Sequence, residues 1–154
     1  MYSITTNKMV DLHLEGETKE SIICQLAEKI YLEGRIKDFD TYYQSVLERE
    51  SLTSTGIGFG IAIPHGKTNA VKQCSVAFGR VDHSLDWESL DDEPVSMIFL
   101  LAVPDSCAGD EHLKIIAALS RKLIHEDFRE LLKTSVDDQQ IVSLINDSLQ
   151  NIIS

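Results

Sequence analysis

Two histidines and an arginine carry the chemistry this chain offers. His65 closes the stretch Gly56-Ile57-Gly58-Phe59-Gly60-Ile61-Ala62-Ile63-Pro64-His65-Gly66. Glycines there permit backbone angles that other residues resist, and Pro64 fixes the chain just before the imidazole. The pattern predicts one histidine held on a stiff, close-packed turn. With an ordinary pKa of about 6.5 an imidazole is mostly neutral at pH 7, so it can accept a phosphoryl group without a separate base. His112 falls in the first turn of a helix that opens near Asp110, where unpaired backbone amides and the positive dipole end attract anions. Arg49, at the end of the helix leading into the turn, offers a planar charged fork to phosphate oxygens. Each alone reads as a hydrogen-bonded or solvated residue; converging on one point, the three could receive and hold a phosphoryl group.

Other chemistries fit less well. A dinucleotide fingerprint needs a third glycine where Ile61 stands, and five residues separate Gly60 from Gly66-Lys67-Thr68 where a P-loop has four, with Pro64 removing an amide donor. A metal-dependent hydrolase built on His65, His112 and Asp110 or Glu111 lacks any paired motif to fix its geometry. Cys107 precedes the same helix start, which lowers a thiol pKa, but a plain loop or core thiol is the more ordinary reading. Cys24, Cys74 and Cys107 are odd in number and far apart, so they define neither a disulfide framework nor a redox motif. No cofactor and no metal are expected.

Charge narrows the partners. Asp and Glu total 25 against 14 Lys and Arg, a net charge of −11. Nucleic acid and anionic membrane both require a positive footprint, so neither is an expected partner, whereas a basic protein would be attracted. The N-terminal stretch "MYSITTNKMVDLHLEG" lacks a charged start followed by an apolar core, and the longest apolar run, Met97 to Val103, is too short to span a bilayer. A cytoplasmic protein without membrane insertion is expected. A length of 154 residues suits a single domain, 1–154.

The elements that must position these residues follow from periodicity. Val10, Leu12 and Leu14 alternate as a short strand; Ile22, Ile23, Leu26, Ala27, Ile30 and Tyr31 mark a helix over roughly 18–33, capped by Thr18 and stopped by Gly34. After Asp38, Phe39, Tyr42, Tyr43, Val46 and Leu47 form a second amphipathic face. Ser75 to Val81 reads as a strand, and Pro94 to Pro104, apolar on both sides and fenced by prolines, as the central strand of a sheet covered on both faces. Trp87 and the surrounding acids read as a solvated connection. A long helix from about Asp110 carries the inner stripe Leu113, Ile116, Ala117, Ser120, Leu123 and Ile124, and two shorter helices finish the chain. Interleaved strands and helices predict a layered α/β domain. His13, His83 and His125 are assigned to a strand, a polar turn and a helix end, without a role.

These residues resemble enzyme IIA of the sugar phosphotransferase system, in its fructose–mannitol family. That family marks its phosphorylated histidine with an acidic or amide residue, six free positions, an apolar residue, Gly or Ala, two free positions, then aliphatic-Ala-aliphatic-Pro-His and a small residue. Glu50, Ile57, Gly58, Ile61, Ala62, Ile63, Pro64, His65 and Gly66 meet every fixed position. The resemblance extends from about residue 4 to the C-terminus, through "TKESIICQLAEKI" and "DEHLKIIAALSRKL". It implies a single-domain α/β sandwich with a mixed β-sheet flanked by helices. It also implies a phosphotransferase in which His65 is the phosphorylated nucleophile, His112 the histidine that stabilises it and Arg49 the arginine that balances phosphate charge. The implied donor is the small carrier HPr and the implied acceptor a cysteine of an enzyme IIB, feeding a membrane enzyme IIC that selects the sugar, fructose-like by the wording around His112. The alternative within the family is a nitrogen-type regulator whose phosphorylation state controls protein partners. Ile57, Phe59 and Ile61 are candidates for an apolar docking surface, with Phe59 expected to be exposed and both isoleucines buried.

Overall fold

The computed structural model describes residues 3–105 and 111–153, with the side chains of residues 111, 112 and 150–153 outside the described set. A 3-10 turn, Asn7–Met9, leads into strand β1 (Val10–Leu14), followed by helices α1 (Lys19–Leu32) and α2 (Phe39–Leu52). Three short strands come next, β2 (Gly56–Gly58), β3 (Ile61–Ala62) and β4 (His65–Thr68), then two long ones, β5 (Ser75–Leu85) and β6 (Val95–Pro104). Helices α3 (Glu111–Leu123), α4 (Glu126–Thr134) and α5 (Asp138–Ile153) complete the order.

Local chemistry explains the first half. The Thr18 side chain accepts the Ser21 amide and that of Asp38 the Thr41 amide, so α1 and α2 each begin on a capping oxygen. Gly34, at φ +76°, turns the chain out of α1. The sheet is mixed: β5 runs parallel to β1 and antiparallel to β6, while β3 and β4 both lie parallel to β6 and β2 antiparallel to β3. As its two-sided apolar composition predicts, β6 is central. Met97, Phe99, Leu101 and Val103 face α3, α4 and α5, and Ile98, Leu100 and Ala102 face α1 and α2. The result is the three-layer α/β sandwich expected from the sequence.

Four expectations are corrected. Trp87 is fully buried with the α1 and α2 core rather than solvated, while its neighbours Asp86 and Glu88 stay exposed. The alternation Leu85, Trp87, Ser89 continues the period of a strand, β5, that runs to Leu85 and so takes His83 out of any turn. The buried stripe of α3 is Ile115, Ala118, Leu119 and Leu123, leaving Leu113 and Ile124 exposed. Apolar residues nearly encircle that helix, so spacing alone did not set its phase. Finally, α5 is no short helix: it spans 16 residues, against 13 in α3.

Tyr42 fastens α2 to the sheet. Its buried hydroxyl donates to the Leu101 carbonyl at 2.7 Å. Burial first, and Cys74 second, push its phenol well above the usual value of about 10. The folded state therefore holds this proton more tightly than the unfolded chain. Its stabilising contribution is complete below pH 10 and falls away as pH climbs from 10 towards the folded value, by up to about 1.4 kcal/mol per pH unit. Tyr42→Phe is expected to cost about 1 kcal/mol at pH 7 and to flatten that alkaline decline, as urea unfolding between pH 7 and 11 would register. An equally steep decline in the variant would contradict the assignment.

Candidate functional site

The glycine-rich stretch resolves into a hairpin and a strand. Phe59 at φ 60° and Gly60 at φ +77° form the two-residue link between β2 and β3, both in the left-handed region that tight hairpins favour. Phe59 is the exposed tip, 57% accessible, with the Arg129 guanidinium of α4 stacked 4.1 Å from its ring centre. Ile61 is buried as expected; Ile57 is not, being 37% exposed at the rim of the cavity described next.

His65 does not sit on a turn. It opens β4, and β3 and β4 follow β6 in one unbroken register, Ile61 beside Met97, Ala62 beside Ile98 and His65 beside Leu101. Pro64 fills the gap between the two pieces, where its carbonyl accepts the Leu101 amide at 3.0 Å. The imidazole is thus mounted on a strand held by the core. Its neighbour Gly66 faces α2: a Cβ there would come within 2.9 Å of Val46 Cγ2 and 3.2 Å of Tyr42 Cε1. Only a residue without a side chain lets α2 approach this closely, and α2 is the helix that brings Arg49 to the site.

His65 Nδ1 lies 3.0 Å from the Ile63 carbonyl oxygen. A carbonyl only accepts, so Nδ1 carries the proton and the lone pair resides on Nε2. The half-buried ring lines a cavity of about 440 Å³. Arg49 lines the same cavity, its Nη1 donating to the Thr53 carbonyl at 2.7 Å, which steadies the guanidinium. Ser45, Ser54, Thr55, Lys67, Leu113 and Ile116 complete much of the wall. Its described lining holds two cations, Arg49 and Lys67, and no carboxylate, inside a chain of net charge −11. Such a wall suits an anion that both cations can reach. A second cavity of about 450 Å³ is lined by Lys19, Glu20, Glu50 and Glu88 among others, with no histidine, and suits an anion poorly.

The structure therefore brings His65 and Arg49 together. His112 lies in the first turn of α3, and its side chain is outside the described residues, as are Cys107, Gly109 and Asp110. Leu113 and Ile116 of the same helix do line the cavity, so the start of α3 borders it. Sequence reasoning missed Lys67 as a wall residue, having weighed it only as a P-loop tail. The available signal was position: on a strand, residues two apart share a face, and Lys67 follows His65 by two. Among the described residues, no helix is long and apolar enough to cross a membrane.

Comparison with known proteins adds a lineage to this geometry. The family profile described as "Phosphoenolpyruvate-dependent sugar phosphotransferase system, EIIA 2" matches residues 3–148. The chain is 39% identical over 143 residues to the fructose-specific EIIA component of Haloferax volcanii, covering 93% of this chain and 92% of that one. In structure it is similar to nitrogen regulatory protein IIA-Ntr from Neisseria meningitidis, with a TM-score of 0.84 at 30% identity over 92% of this chain and 96% of that one. It shares its fold with the mannitol enzyme IIA of Escherichia coli, solved in complex with phosphorylated enzyme IIB; the TM-score is 0.76 at 24% identity, over 90% of this chain and 94% of that one.

Proposed function

Because the chain belongs to the EIIA 2 family of the phosphoenolpyruvate-dependent sugar phosphotransferase system, whose components are phosphotransferases working through a phosphohistidine, we propose that His65 is the residue phosphorylated. One observation carries the proposal: the Nδ1 bond to the Ile63 carbonyl leaves the lone pair of the neutral ring on Nε2, and that ring lines a cavity walled by two cations. Nε2 attacks phosphorus in line with the donor nitrogen of phospho-HPr. The new N–P bond forms as the donor N–P bond breaks, and its electron pair returns to the HPr imidazole. Positive charge that develops on the His65 ring is shared through Nδ1–H with the Ile63 carbonyl. Arg49 and Lys67 face the equatorial oxygens, where the transition state spreads its negative charge. His112 at the start of α3 completes the set as stabiliser of the phosphohistidine. In the second half, a thiolate of enzyme IIB attacks the same phosphorus and the electron pair returns to Nε2. Positioning and charge do the work, so the scheme calls on no metal or nucleotide.

The acceptor IIB would pass the group to a sugar, fructose-like in view of the 39% identical fructose-specific relative, through a membrane enzyme IIC, with this component acting in the cytoplasm. The likeness to IIA-Ntr favours a second reading, in which phospho-His65 instead alters binding to regulatory targets. Intact mass after incubation with phosphoenolpyruvate, enzyme I and HPr tests the core of both. One acid-labile phosphate is expected, and a folded protein that stays unmodified would overturn the proposal. Sugar-dependent loss of that phosphate to a cognate IIB would select the transport role; a phosphate retained in its presence would select the regulatory one.

A further inference from the structure

Beneath the cavity, a chain of hydrogen bonds runs from α2 to the imidazole. Glu50 follows Arg49 in the last turn of α2 but is only 5% exposed. Its Oε2 accepts the Thr55 amide at 3.0 Å and its Oε1 accepts the Thr55 hydroxyl at 2.5 Å. The Thr55 carbonyl in turn accepts the Ile63 amide at 3.0 Å, and the Ile63 carbonyl accepts His65 Nδ1–H. On the far side, Lys19 Nζ stands 3.6 Å from Glu50 Oε2 and 3.4 Å from Glu88. Two bonds from one carboxylate fix both the backbone and the side chain of Thr55, in the segment that links α2 to β2. Thr55 then sets where the Ile63 peptide lies, and the carbonyl of that peptide sets which nitrogen of His65 bears the proton.

Resting on the reading of His65 as nucleophile, we infer that Glu50 is a positioning residue for it, acting through Thr55 and Ile63 by placement of an acceptor rather than by charge. Glu50→Gln keeps the reach and satisfies both links, because its oxygen accepts the Thr55 amide while its NH2 donates to a hydroxyl that also accepts. Glu50→Asp keeps the charge but withdraws the acceptor by about 1.5 Å, one carbon–carbon bond.

The test combines 15N chemical shifts of the His65 ring at pH 8 with single-turnover phosphorylation by phospho-HPr. Glu50→Gln should keep the Nδ1–H tautomer and a rate close to wild type. Glu50→Asp should populate both tautomers and slow transfer roughly 10–100-fold, by analogy with the loss of a residue that orients a metal-bound imidazole, with KM for phospho-HPr unchanged. The reverse ranking would assign the effect to charge and overturn the inference, as would two folded variants indistinguishable from wild type. If both misfold, Thr55→Val decides: it removes the hydroxyl link alone, and an unaltered tautomer ratio would overturn the inference. Should wild type itself take no phosphate, the proposed function fails, while the tautomer comparison still judges Glu50.

Discussion

His65→Ala is expected to fold as wild type does and to carry no phosphate after incubation with phosphoenolpyruvate, enzyme I and HPr. The half-buried ring already borders a cavity, so its removal enlarges a space open to solvent rather than creating a sealed void. No other histidine is among the described residues of the wall. The Ser54 hydroxyl donates to the Trp87 carbonyl, and the Thr55 hydroxyl is turned onto the buried Glu50 carboxylate that also holds the Thr55 amide. Arg49→Ala should still become phosphorylated, but roughly 10²–10³-fold more slowly, the usual cost of losing one preorganised donor to developing charge. His112→Ala should form a phosphohistidine less efficiently. Intact mass and a time course separate the three, and a phosphate on folded His65→Ala would sink the assignment of the nucleophile.

Phe99→Ala should produce the largest loss of stability. Phe99 is fully buried on β6, its ring centre 5.0 Å from that of Phe78 on β5, and it faces the layer formed by α3, α4 and α5. The sheet backbone on one side and three helices on the other leave little room to collapse into the space. The cost is expected near the usual range for a buried aromatic, about 3–5 kcal/mol, or on the order of 10 °C in Tm for a chain of this size. Thermal denaturation checks the figure, and a loss under about 1 kcal/mol would deny β6 its central place. At low temperature the folded fraction should accept phosphate normally, because Leu101, not Phe99, stands beside His65 in the register.

Local signals were legible and long-range ones were not. Capping by Thr18, the stop at Gly34 and the proline-fenced run of β6 are written in neighbouring residues, and the structure matches each. The motif around His65 identified the family, whose profile covers residues 3–148. Its shape was misread: Gly58 and Gly60 announce a turn, but that turn carries Phe59, and His65 enters a strand because β6 supplies its partners from more than thirty residues away. The phase of α3 was lost for a related reason. Leu113 and Ile116 look like core by composition, yet they border the cavity, and only the packed sheet reveals which side of the helix it covers. Glu50 was seen as a position in a motif, whereas its bonds to Thr55 depend on how α2 meets β2.

The unbroken register of β3 and β4 along β6 bears on the direction of phosphoryl flow. On the proposed reading, a nucleophile mounted on β4, hydrogen-bonded to the most buried strand, does not travel between partners; donor and acceptor must each bring their own reacting atom to the same fixed nitrogen. Loading and unloading would then pass through nearly mirror-image geometries at that nitrogen. Which way the group moves would be left to the relative transfer potentials and abundances of the two partners. On that reading the protein would act as a reversible coupling between two pools, able to report a shortage downstream by remaining charged.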